Sequence, residues 1–167
     1  MTTLSIKLLG VGPKWAHPCQ QAVTDLNALF KRSGIAVVLA LGGSKGPVIS
    51  VRTDPSIQGD AVHGKTNARL DGSGRTLSAD VRLPVKVSIN TPQGIRDAGA
   101  GIFEVIAAHE FVHALGHSAH TSQLMGQTMY KELGDHPAGD RLKTGNTRQP
   151  PLSLSPDTID TLKGIWN

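Results

Sequence analysis

The chain has 167 residues, 38% of them apolar and 18% charged, which is enough for one sizeable core and too apolar for a disordered chain. Its longest strongly apolar run, residues 35–41 (Ile-Ala-Val-Val-Leu-Ala-Leu), falls far short of the ~20 residues that cross a bilayer, so no membrane partner is expected. Seventeen Lys and Arg against thirteen Asp and Glu give +4, but the cations are scattered and the six aromatics are not interleaved with them, which argues against a nucleic-acid partner.

The predicted elements begin with a strand over 4–9 (Leu-Ser-Ile-Lys-Leu-Leu). Lys7 interrupts the apolar stretch, so this segment is not read as a signal peptide. His17-Pro18 opens a helix, Pro18 suiting its first position. Cys19, Val23, Leu26, Leu29 and Phe30 form its apolar stripe, and Gly34 ends it. A buried, β-branched strand follows over 35–41, then a turn at 42–47 and a third strand over 48–53. The polar region 54–75 holds strand pieces within 61–70. Residues 76–83 alternate as a strand, and 85–89 form another.

Thr91-Pro92 reads as the N-cap and first turn of the main helix, running to about Leu115. Residues 134–156 show no periodicity. Ser155-Pro156-Asp157 starts a last helix with Ile159, Leu162, Ile165 and Trp166 on one side. The order implies one α+β domain over 1–167: a mixed, twisted sheet of four to five strands, an N-terminal helix, a long central helix and a C-terminal helix. Cys19 is the single cysteine, so no intramolecular disulfide is possible.

Seven histidines stand against three glutamates, and four of those histidines fall between His109 and His120. His109-Glu110-Phe111-Val112-His113 matches H-E-x-x-H. Residues i and i+4 share a helix face, so both imidazoles can reach one metal ion, while Glu110 is turned toward a water on that ion without ligating it. Zinc lowers the pKa of such a water to about 7, and the carboxylate takes its proton during attack on a peptide carbonyl. From the composition, about 0.005 chance occurrences are expected in a chain of this length, so the match is specific. The plainer alternative makes the two histidines core residues. They do continue the stripe of Ile102, Val105, Ile106 and Val112, but inward imidazoles left without partners are costly.

Gly116 lies three residues past His113, where a left-handed residue can end the helix and turn the chain. The stretch 103–120, with Leu124-Met125 beyond it, resembles the metzincin clan of zinc endopeptidases, whose long motif is H-E-x-x-H-x-x-G-x-x-H (or D) followed by a Met-turn. His109 to Gly116 is similar to the matrixin branch, and the expected unsecreted, single-domain form looks like small matrixin-like proteins of bacteria and their phages. The clan's third-ligand position falls on Ala119. A one-residue insertion after Gly116 brings His120 into that role, with His117 as the competing third ligand. Glu132, nineteen residues past His113, is the corresponding candidate if the site is of the gluzincin kind.

The resemblance implies one catalytic Zn2+ held by His109, His113 and His120, Glu110 as general base and acid, and a Met-turn at Met125 or at Met129. Tyr130 is a candidate contact to substrate or intermediate. It implies a protein or peptide substrate laid along a sheet edge, either 76–83 or 61–70, with residues 134–154 as the far wall of the pocket. Cys19 as a latency switch over the metal is the less economical reading beside a core thiol. His63 and His136 stand alone in polar loops. A monomer is expected, located in the cytoplasm, with a phage particle, or exported by a non-classical route. The competing function is a catalytically degenerate, zinc-stabilised module that binds a protein partner. Glu110 separates the two, because a purely structural zinc site has no use for it.

Overall fold

The computed structural model describes residues 1–58, 64–91, 94–118 and 152–167. Among these, the elements in chain order are β1 (Thr2–Leu8), α1 (Pro13–Ser33), β2 (Val37–Leu41), β3 (Val48–Thr53), β4 (Lys65–Leu70), β5 (Thr76–Leu83), β6 (Ser88–Thr91), β7 (Gly94–Asp97), α2 (Ala100–Ala114) and α3 (Pro156–Trp166). Five strands form a mixed sheet in the order β2-β1-β3-β5-β4, and β6 pairs with β7 in a separate ribbon. The first four strands of that order run parallel, and β4 runs antiparallel to β5. The expected α+β architecture and its strand count are therefore present. Among the described residues, no helix is long and apolar enough to cross a membrane.

Strand alternation sends Leu4, Ile6, Leu39, Ile49, Val51, Val81 and Leu83 to one face, where α1 and α2 cover them. Helix α2 is buried all round. Of its fifteen residues only Ala100 and His109 are not buried, as its nearly continuous apolar sequence requires. Trp15 of α1 packs against Phe103 of α2 in a tilted contact, ring centroids 4.3 Å apart, and donates its indole N–H to the Pro84 carbonyl at 2.7 Å.

Two helix starts differ from the sequence expectation. Helix α1 begins at Pro13, behind Gly12 with φ +71°, and not at Pro18. Two prolines compete for the first position. The earlier one wins because Trp15 and Val11 then reach the core, and Pro18 removes only one early backbone hydrogen bond. Helix α2 begins at Ala100, with Gly99 as N-cap, instead of at Thr91-Pro92. The intervening chain pairs on itself: Thr91 faces Gly94, whose φ of +103° closes a hairpin and would break a helix. This also moves the strand expected at 85–89 to Ser88–Thr91. The C-terminal helix starts where expected, with Ser155 Oγ accepting the Thr158 N–H at 3.2 Å.

The two edges of the large sheet differ. At β2, the Asn27 side chain from α1 bonds both backbone groups of Leu39, donating to its carbonyl and accepting its N–H, each at 2.9 Å. That edge is stapled by a side chain. Strand β4 has β5 on one side and, among the described residues, no strand on the other. Of the two candidate edges, then, 76–83 is interior and 65–70 is the edge.

Candidate metal centre and active site

The last carbonyls of a helix lack partners within it, and in α2 each of three finds one elsewhere. The Gly116 N–H bonds the His113 carbonyl at 3.0 Å, the Thr76 hydroxyl bonds that of Ala114 at 2.6 Å, and the Trp166 indole bonds that of Leu115 at 3.0 Å. Gly116 has φ +98°, and a Cβ there would stand 2.5 Å from the Gly74 carbonyl oxygen. Glycine is required by the turn, as the sequence reading of Gly116 anticipates, and also by the close approach to Gly74, which that reading did not include. Strand β5 and helix α3 thus hold the end of α2 that carries His113.

One turn apart on α2, the His109 and His113 rings meet edge to face, centroids 4.6 Å apart and planes at 83°. Their Nε2 atoms converge to 3.0 Å. His113 Nδ1 lies 2.7 Å from the His117 carbonyl, which only accepts, so this nitrogen carries the proton and donates. In the neutral ring that leaves a lone pair on Nε2, facing His109. A ligating imidazole needs this arrangement: one nitrogen tied to a backbone acceptor, the other open to a cation. Two converging imidazole nitrogens suit a borderline ion such as zinc, and His109 and His113 are the residues that would hold it. Among the described residues, no third His, Cys, Asp or Glu joins them.

Glu110 is 4% exposed. Burial pushes its carboxyl up to about 7, while the hydroxyl of Thr66 pulls it back down by donating to Oε2 at 2.5 Å. The same hydroxyl lies 3.2 Å from the Glu110 carbonyl oxygen. Gly64 packs flat against this carboxylate, since a Cβ there would sit 2.6 Å from Oε1. Thr66 of the edge strand and Gly64 just before it therefore fix the position of Glu110. No local sequence pattern marks either residue, because the contact spans more than forty positions and depends on sheet register. Glu110 and His113 share a cleft of about 770 Å³ with Gly64, just before β4, and with Lys65, Thr66 and Arg82 of the sheet.

His117 is buried, with its carbonyl turned to His113 and its Nε2 3.9 Å from Asp157 of α3. The structure thus brings together His109, Glu110 and His113, and brings His117 to them through its backbone. His120, Met125, Met129, Tyr130, Glu132, His63, His136 and the expected pocket wall 134–154 apart from its last three residues lie outside the described residues. Cys19 is on the buried face of α1, and burial pushes its thiol up to about 12, so it remains an uncharged thiol. Comparison with protein-family models and with curated protein sequences found no match to this chain.

Proposed function

We propose that this chain is a single zincin-type catalytic domain of the metzincin kind, a zinc-dependent endopeptidase. The observation that carries the reading is the convergence of His109 Nε2 and His113 Nε2 beside the buried Glu110 carboxyl. His109 and His113 hold the ion, and His120, or His117 in its place, completes the set. Zinc, when bound, acts as a Lewis acid toward water and the substrate carbonyl. Glu110 would take a proton from the attacking water and return it to the leaving amine, the general base and acid role of a carboxylate within reach of both. Thr66 and Gly64 keep its oxygens in one orientation. Among the described residues the outer edge of β4 is unpaired, and it would offer backbone groups to an extended peptide lying next to Glu110.

The test uses the zinc-loaded full chain on a denatured protein. Cleavage is expected, with loss in Glu110→Gln while the metal stays bound. Stoichiometric zinc with no cleavage by the wild type overturns the enzyme reading in favour of a zinc-stabilised binding module. Tight zinc retained in His120→Ala and lost in His117→Ala reverses the ligand assignment.

A further inference from the structure

Cations that are scattered in the sequence meet on one sheet face. In the register, Arg52 of β3 stands opposite Arg82 of β5, and Arg82 opposite Lys65 of β4. Three like charges side by side across neighbouring strands are unfavourable unless something offsets them. Asp80 and Asp54 offset two: Arg52 reaches Asp80 at 2.9 Å, and Arg82 reaches Asp80 at 2.8 Å and Asp54 at 3.4 Å. Lys65 has no acidic partner among the described residues, and Arg69, also outward-facing on β4, has none either. Both are exposed.

Strand β4 therefore presents Lys65, Asn67 and Arg69 on the side away from the helices, while Thr66 points inward to Glu110. Lys65 and Arg82 also line the cleft that contains Glu110 and His113. A peptide added to this edge alternates in the same way. Residues opposite Lys65, Asn67 and Arg69 turn their side chains to the cationic face, and those opposite Thr66 and Ala68 turn to the side of Glu110. Since Gly64 and Thr66 flank Lys65 and both touch the Glu110 carboxylate, the position opposite Lys65 lies within about two residues of the bond under attack.

We infer that β4 selects peptides carrying Asp or Glu on that outward-facing side, at the position opposite Lys65 and again four residues along, opposite Arg69. This rests on the endopeptidase reading. A lysine on an edge strand also discourages pairing with another copy of the chain, but that role needs no arginines behind it in the same row and no fixed spacing.

The experiment digests a randomised peptide library with the zinc-loaded chain and locates the cleaved bonds. Matched peptides with Asp, Asn or Lys at each enriched position are then compared. Asp is expected to exceed Asn in kcat/KM by about fivefold at low ionic strength, falling as salt rises. Lys65→Glu should invert the Asp-to-Lys ratio at one position, and Arg69→Glu at a position four residues away, each variant keeping the wild-type circular dichroism spectrum. Cleavage with equal rates for Asp, Asn and Lys overturns the inference and leaves the endopeptidase reading standing. No cleavage of any peptide overturns both. Unchanged ratios accompanied by salt-sensitive DNA retention that Lys65→Glu abolishes would assign the face to nucleic acid and overturn the inference.

Discussion

Replacing Glu104 by Gln should stabilise the chain above neutral pH and leave it nearly unchanged in acid. Glu104 sits on α2, 5% exposed, against Asp25 of α1, whose carboxylate also accepts from the Gln21 amide at 3.1 Å. Burial first, and then the Asp25 carboxylate, push the Glu104 carboxyl up from its ordinary 4.5 to about 8. The folded chain therefore keeps a proton that the unfolded chain releases. The stability tied to this proton is full below about pH 4.5 and is lost as pH rises through about 8. At about 1.4 kcal/mol per pH decade, the loss across that window is roughly 5 kcal/mol. The Gln amide keeps the shape, can still donate to Asp25 and carries no charge, so its stability lacks this decline. Glu110, pushed up to about 7, adds a decline of its own to both proteins, and the difference between them isolates Glu104. Urea unfolding, followed by Trp15 and Trp166 fluorescence from about pH 5 to about pH 9, gives both curves. They should separate progressively with pH, the variant being the more stable at the alkaline end. Parallel curves, or a variant destabilised at alkaline pH, would refute the reasoning.

Three further substitutions bear on the site. Gly64→Ala places a methyl group 2.6 Å from Glu110 Oε1 and should shift the carboxylate by a fraction of an ångström, so kcat/KM should drop about tenfold to a hundredfold with the fold intact by circular dichroism. Gly116→Ala combines φ +98° with a 2.5 Å approach to the Gly74 carbonyl, and calorimetry should register a loss of about 3 kcal/mol. Thr76→Val removes the buried donor to the Ala114 carbonyl and should cost about 1–3 kcal/mol in chemical denaturation, with the loss confined to stability if β5 only anchors the helix end.

The sequence carried the signals that are local. Residues 37–41, 48–53 and 76–83 alternate or cluster as strands must, Gly34 takes the left-handed position that ends α1 at φ +70°, and Gly116 does the same for α2. The i, i+4 spacing alone brings His109 and His113 together, because a helix face is a property of nearby residues. What failed was the choice between equivalent local signals. Pro13 and Pro18 both suit a helix start, and Thr91-Pro92 suits a cap as well as a hairpin corner. Contacts made by register were out of reach. Nothing in the polar stretch before β4 indicates that Thr66 holds Glu110, that Asp25 faces Glu104, or that Lys65, Arg82 and Arg52 form one row. The +4 charge looked dispersed along the chain because strand order, not chain order, gathers it.

Equilibrium dialysis of the full chain against zinc, with His109→Ala and His113→Ala alongside, tests the central claim most directly. The convergent nitrogens predict one tightly held ion per wild-type chain and its loss in both variants, with the His113 substitution also releasing the His117 carbonyl from its Nδ1 partner. A wild-type chain that binds no zinc, or variants that bind it as tightly as the wild type, would contradict the account.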